Sequence, residues 1–236
     1  MGQETKFDQY LRESRDPLNS LVLTLPILLL YQVGLLLSGG GTKNGVDFIT
    51  EFLVNNWGMT GVMAFNGGLF VTLILAVVVL KKEKRLEPGI VFPIIIESTV
   101  YALTMGSLIL LLMRYIPGLN AGPTSLGVLD RIFISLGAGF HEELVFRLVL
   151  FGGLSWAIGR LSDKREVGIV VGLIVSCVLF SLVHYLGPED FAMGTFVYRA
   201  LAGAVLVGLY AWRGFAVAVY THAIYDVYVL VWKQVF

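Results

Sequence analysis

The stretch PLNSLVLTLPILLLYQVGLLLSGGGT at residues 17–42 carries no charged side chain, and neither does FLVNNWGMTGVMAFNGGLFVTLILAVVVL at residues 52–80. An α-helix covers the ~30 Å hydrocarbon core of a bilayer in about 20 apolar residues. Each stretch is long enough to cross, and together they set the class of the chain. Of its 236 residues 56% are hydrophobic and 14% charged, against about a quarter charged in a typical soluble domain. Mean hydropathy is +0.79. A soluble globular fold is excluded on these grounds.

Charged and Gly/Pro-rich breaks divide the chain into spans near residues 19–38, 60–80, 90–114, 129–158, 167–186, 191–212 and 214–233. The expected fold is all-α, a polytopic transmembrane helical bundle of seven to eight helices in a single integral membrane domain, 1–236. The eighth would arise from a break in 129–158, where Gly137 and Gly139 precede a charged motif. Pro26 and Pro93 are candidates for kinks. The first 19 residues mix Lys6, Arg12 and Arg15 with acids, unlike a secretory leader. This polar segment, 1–18, with Phe7, Tyr10 and Leu11 among its charges, suits either an interfacial helix or a solvated tail.

With the N-terminus in the cytoplasm, the inside loops would hold Lys6, Arg12, Arg15, Lys81, Lys82, Lys84, Arg85, Arg160, Lys164, Arg165 and Arg213. The outside would hold Lys43, Arg114, Arg131 and Lys233. This bias follows the positive-inside rule and favours that orientation, in a plasma (inner) membrane. Seventeen basic and 17 acidic residues cancel, so no global field recruits nucleic acid. Cys177, the single cysteine, reads as small core filler. Trp57, Trp156, Trp212 and Trp232 fit interfacial belts. The glycine pairs at 67–68 and 152–153, with Gly203 and Gly208, read as close helix packing, and no phosphate-binding motif is present.

A charge at membrane depth costs at least ~2.5 kcal/mol on insertion scales, so each one retained there calls for a partner or a function. They are Glu97, His141, Glu142, Glu143, Arg147, His184, Arg199, His222 and Asp226, which include all 3 histidines. In Gly-Phe-His-Glu-Glu-Leu-Val-Phe-Arg (139–147), Glu143 and Arg147 are four apart and can pair on one helix face. Glu142 is turned about 100° away and less compensated, which makes it the candidate general base. A structural Glu-Glu-Arg ion cluster is the competing account. Phe180 and His184 share a face, so the phenyl ring can orient the imidazole. His222 and Asp226 form another i, i+4 pair, in which the carboxylate can set the imidazole tautomer. Taken singly, each pair suits interhelical glue equally well. Three helices presenting such elements are expected to converge on one wet cavity. Glu97 and Arg199 are expected to pair with each other or to face that cavity, and His141 to support the helix or to line the cavity.

Two histidines and a glutamate would also match the ligands of catalytic zinc, here His184, His222 and Glu142. His141-Glu142 starts the pattern His-Glu-x-x-His, but Val145 stands where its second histidine belongs. The expectation is therefore no cofactor, with zinc left open.

In order and spacing, Glu-Glu-x-x-x-Arg (Glu142, Glu143, Arg147), Phe-x-x-x-His (Phe180, His184) and His-x-x-x-Asp (His222, Asp226) resemble the motifs of the CPBP family. These are the intramembrane proteases related to CAAX prenyl endopeptidase and to the bacteriocin-processing or self-immunity proteins called Abi. The resemblance spans residues 129–230. It implies peptide-bond hydrolysis, with Glu142 and His184 activating water, Glu143 and Arg147 as the supporting pair, and His222 and Asp226 binding the oxyanion or orienting the substrate. The family's Asn is Asp226 here, and the glycine that commonly follows its arginine is Leu148. The implied partners are a peptide or membrane-protein substrate and the lipid bilayer. Prenylated, leader-bearing and membrane-precursor substrates all fit. The rival readings are a non-proteolytic scaffold or immunity-type partner-binding protein, and a proton-coupled transporter. The transporter would call for internal symmetry, which the sequence lacks.

Overall fold

Residues 5–38, 43–83, 88–113, 126–186 and 189–232 are described by a computed structural model of the chain. Lys84, Arg85, Arg114 and Lys233, which entered the charge-bias reading, and the side chain of Trp232 lie outside the described residues. Among the described residues the regular elements are all helical, without a strand.

The first apolar run is two helices, α1 being the polar helix before it. Helix α1 (Lys6–Arg15) starts with a capping box, the Thr5 hydroxyl accepting from the Asp8 N–H and the Asp8 carboxylate from the Thr5 N–H. Asp16 then caps α2 (Pro17–Leu23), accepting from the Asn19 N–H at 2.9 Å. The helix breaks at Thr24, and α3 (Leu25–Leu37) restarts with Pro26 in its first turn. Proline has no N–H for the carbonyl four residues back and its ring crowds that carbonyl. Pro93, in contrast, falls in the first turn of α5 (Val91–Met113), where that N–H would have no helical partner.

Helix α4 (Phe48–Lys82) is long for one crossing, and Gly58 breaks it with φ +60°, a conformation glycine adopts without steric cost. The part beyond Gly58 coincides with the expected span 60–80. Residues 128–161 form one continuous helical run: α6 (Val128–Glu143), a π-helical stretch (Leu144–Gly152) and α7 (Gly153–Leu161). The anticipated break is thus a change of helical pitch rather than an eighth element. The run α8 (Arg165–Val183) ends in a 3₁₀ turn, His184–Leu186, and α9 (Met193–Arg213) leads to α10 (Phe215–Val227).

Six runs are long and apolar enough to cross a membrane: Pro17–Leu37, Phe48–Lys82, Val91–Ile109, Val128–Leu161, Arg165–Leu186 and Met193–Arg213. A shorter apolar seventh is Phe215–Val231. These correspond to the seven expected spans, and the protein is an integral membrane helical bundle. The shortest of them is its centre. In α10, residues Phe215 to Ala223 are all buried, as a helix apolar on every side must be, and α10 packs on α2, α5, α6 and α9.

Small residues let α10 and α6 touch. A Cβ at Gly139 would come 2.6 Å from the Ala223 Cβ and 2.8 Å from its backbone N, and one at Gly137 would meet the Tyr31 ring at 2.5 Å. The expected glycines contribute unevenly: Gly152 and Gly203 make such contacts, whereas a Cβ at Gly67, Gly68, Gly153 or Gly208 would meet nothing within 4 Å. Further close packing comes from Gly34 against Phe133 and from Gly168 and Gly172, where α8 crosses α7. Cys177 is buried against Phe151 and Val207, as expected of filler. Trp57, Trp156 and Trp212 are exposed.

Within the N-terminal segment, α1 is docked on the bundle. Arg213 forks onto Glu97 through Nε–Oε1 at 2.5 Å and Nη2–Oε2 at 2.8 Å, and its Nη atoms reach Ser14 Oγ of α1 at 3.4 Å. Tyr10 of α1 and Tyr101 also donate to Glu97. Burial, reinforced by the Glu97 carboxylate, pushes the Tyr10 phenol well above its ordinary pKa. Two expectations are corrected here: Glu97 pairs with Arg213 and not Arg199, and Arg213 is a buried structural cation instead of a loop charge.

Gly139→Ala should lower stability by about 1–3 kcal/mol through overpacking, read as a fall in melting temperature in detergent. Gly208→Ala, placed in open space, should show no such fall.

Candidate functional site

The charge-bearing helix surfaces meet where α6, α8 and α10 adjoin. Glu143, 0% exposed, stands on α6 with one oxygen between an arginine and a histidine: its Oε1 lies 3.1 Å from Arg147 Nη1 and 2.7 Å from His222 Nδ1 of α10. The expected Glu143–Arg147 pair therefore forms, and it reaches a third residue. Arg147 is itself fully buried, its guanidinium 4.2 Å from the centre of the Phe180 ring, a cation–π contact that suits a desolvated guanidinium. It sits in the π-helical stretch, where the Ser176 hydroxyl of α8 donates to the Phe146 carbonyl at 2.6 Å and so satisfies a backbone acceptor in the widened turn.

Phe180 organises the histidines. Its ring lies edge-on to His184 at 5.3 Å, the orienting contact expected from their spacing, and 5.9 Å from His222. The His184 Nδ1 faces the Phe180 carbonyl at 2.8 Å. A carbonyl only accepts, so Nδ1 carries the proton and Nε2 of a neutral ring is left as the acceptor.

Glu142, 5% exposed, is turned away from Glu143 and Arg147 on the same helical run, as the helical turn between neighbours requires. Its Oε2 is 3.9 Å from His222 Nε2, and that nitrogen is 3.5 Å from Asp226 Oδ2. Glu142, His184, His222 and Asp226 line one cavity of ≈ 560 Å³, while Met105, Ile134, Leu206, Val229 and Leu230 supply an apolar wall. Glu143 and Arg147 lie beneath it. The six candidates are thus brought together, four at the cavity and two as its buried support. Arg199 lines the same cavity and pairs with Glu189 at 2.7 and 3.0 Å.

His184, His222 and Glu142 share the cavity, but among the described residues no three His, Cys, Asp or Glu side chains cluster as a metal ion's ligands would.

Asn44 escaped the sequence reading. Its Nδ2 donates to Glu142 Oε1 at 3.1 Å, and it lines the cavity with Gly45 and Val46. It lies in a short polar link between two apolar runs, with no periodicity to tie it to a helix 98 residues away. The neighbouring Asp47 approaches His141 Nε2 at 3.4 Å, which settles His141 as a support outside the cavity lining.

Arg147→Met should cost about 3–5 kcal/mol by stranding the buried Glu143, and Glu143→Gln in the same chain should restore part of the loss. Melting in detergent reads both.

Residues 124–228 match the family model described as type II CAAX prenyl endopeptidase, Rce1-like. No curated protein matches the chain, and no solved structure does. The matched segment, less than half of the 236 residues, contains the three motifs and agrees with the family that they resemble.

Proposed function

Taking the Rce1-like character of residues 124–228 as premise, we propose that the protein is an intramembrane endopeptidase, in which Glu142 and His184 activate a water molecule against a peptide bond. The observation that carries this reading is that Glu142, His184, His222 and Asp226, from three helices, open on one cavity with an apolar wall of Met105, Ile134, Leu206, Val229 and Leu230. An apolar wall beside a polar cluster suits a membrane-associated, prenylated or leader-bearing peptide, with its hydrophobic portion on one side and its scissile amide on the other.

In the proposed step Glu142 takes a proton from water, while the lone pair on Nε2 of His184 accepts the second O–H and orients the oxygen. The oxygen attacks the carbonyl carbon, and the carbonyl π pair moves onto its oxygen. His222 has carboxylates near both ring nitrogens, and a doubly protonated ring satisfies both. Its Nε2–H is then available to the developing oxyanion. Asp226 takes part as the hydrogen-bonded partner of that N–H, a role consistent with aspartate in place of the family's Asn. Collapse breaks the C–N bond, and the proton held by Glu142 passes to the leaving nitrogen. Glu143 and Arg147 hold His222 from below.

The proposed orientation puts the N-terminus in the cytoplasm and the chain in a plasma (inner) membrane, on the strength of Lys6, Arg12, Arg15, Lys81, Lys82, Arg160, Lys164 and Arg165 on one side of the spans.

The test is turnover by purified protein of a peptide panel that includes a farnesylated C-terminal peptide, with and without a strong chelator. Glu142→Gln and His184→Ala should each lower kcat at least ~100-fold. Loss on chelation would instead give Glu142, His184 and His222 a metal to hold. Full activity in both variants would put the site elsewhere.

A further inference from the structure

The polar link between α3 and α4 lies far outside the family-matched segment, yet it forms part of the cavity wall. Each polar group of Asn44 has a partner there, its carbonyl accepting from the Asp47 N–H at 3.1 Å. Its backbone N–H donates to the Tyr31 hydroxyl at 3.1 Å, its Oδ1 accepts from the Val46 N–H at 2.9 Å, and its Nδ2 donates to Glu142 Oε1 at 3.1 Å. Because a backbone N–H must meet the oxygen of the amide, the NH₂ end is the one turned to Glu142. Asn44 is 6% exposed, so water competes little for these bonds.

Asp47, 1% exposed, anchors the other end of the link. Its Oδ2 accepts from the Tyr31 hydroxyl at 2.8 Å, and its Oδ1 accepts from the Thr50 N–H at 2.9 Å to cap α4. The same Oδ1 lies 3.4 Å from His141 Nε2, while His141 Nδ1 donates to the Gly137 carbonyl at 3.0 Å. Tyr31 stacks edge-on against His141 at 5.0 Å. Two successive residues of α6, His141 and Glu142, are therefore gripped by two residues of one link, and the Tyr31 hydroxyl joins both grips.

We propose that Asn44 is a positioning residue for Glu142, and that Tyr31, Asp47 and His141 form the latch that sets Asn44. The inference rests on the reading of Glu142 as the base. A carboxylate with two free oxygens swings about its last bond. With Oε1 held by a neutral donor, Oε2, the oxygen on the His222 side, is presented to water in one orientation. The neutral amide does this without adding a charge to a cluster that already holds Glu143, Asp226, Arg147 and His222.

Three variants of the full-length protein test this, Asn44→Ala, Asn44→Asp and Tyr31→Phe, together with the double variant Asn44→Ala/Tyr31→Phe and Glu142→Gln as reference. Losing one hydrogen bond to a charged group should lower kcat of Asn44→Ala about 10- to 100-fold, with KM changed less than about 2-fold, since Asn44 is not expected to bind substrate. Asn44→Asp sets a second carboxylate against Glu142. Its activity should recover as pH falls and one of the two takes up a proton, a recovery absent from Asn44→Ala. Tyr31→Phe removes one oxygen and keeps the ring; it should lower kcat in the wild-type chain and add nothing to Asn44→Ala, the non-additivity of coupled groups. The same four proteins of the Asn44–Tyr31 cycle, melted in detergent without substrate, should show that coupling too. If Glu142→Gln is inactive while Asn44→Ala keeps kcat within about 2-fold, or if the two substitutions are additive in both readouts, the proposal is overturned. If Glu142→Gln remains active, it is the reading of Glu142 that fails.

Discussion

The contact between Gly139 and Ala223 is the constraint on which the site depends. With no side chain on α6 at that point, the backbones of α6 and α10 approach to the distance at which Glu143 of one helix meets the imidazole of His222 on the other. One helical residue before Glu143, and turned away from it, Glu142 is thereby aimed at the cavity. The ion cluster of Glu143, Arg147 and His222 is then sealed by the Phe180 ring, which touches the cation on one side and both histidines on others. Packing of the smallest residues thus sets the distance at which these groups pair, in a medium where an unpaired charge is costly.

The parts of this arrangement differ in how far the sequence discloses them. Charge-free runs such as 17–42 and 52–80 make the helical membrane class plain, because the bilayer imposes length and composition directly. The site residues Glu142, Glu143, Arg147, His184, His222 and Asp226 stand out because ionisable groups are rare at membrane depth, and i, i+4 spacing puts paired groups on a shared face. Partners chosen across helices are another matter. Glu97 has two arginines within reach of the imagination, Arg199 and Arg213, and only the packing of α5 against α9 and α10 decides for Arg213. Arg213 at the end of an apolar run has the sequence context of a loop cation, although it is 2% exposed. Asn44 and Asp47 are ordinary linker residues by every local criterion, and it is the fold that sets them against Glu142 and His141.

The π-helical stretch from Leu144 to Gly152 also had no clear signature beyond the glycines before it. Those glycines serve contact, not flexibility. The widened pitch carries Arg147 under Phe180 and leaves the Phe146 carbonyl to the hydroxyl of Ser176. Local irregularity and buried charge coincide on the same helix.

The docking of α1 has a bearing on the order in which the protein assembles. Its Ser14 and Tyr10 have as their anchors Arg213 and Glu97, and the backbone at Gly214 approaches so closely that a Cβ there would lie 2.8 Å from the Ser14 carbonyl. On the ribosome, α1 must therefore wait for Arg213, 199 residues after Ser14, before this part of its binding surface exists. The closing of this ring joins residues 199 apart in sequence, a contact of high sequence separation and so a natural late step of folding.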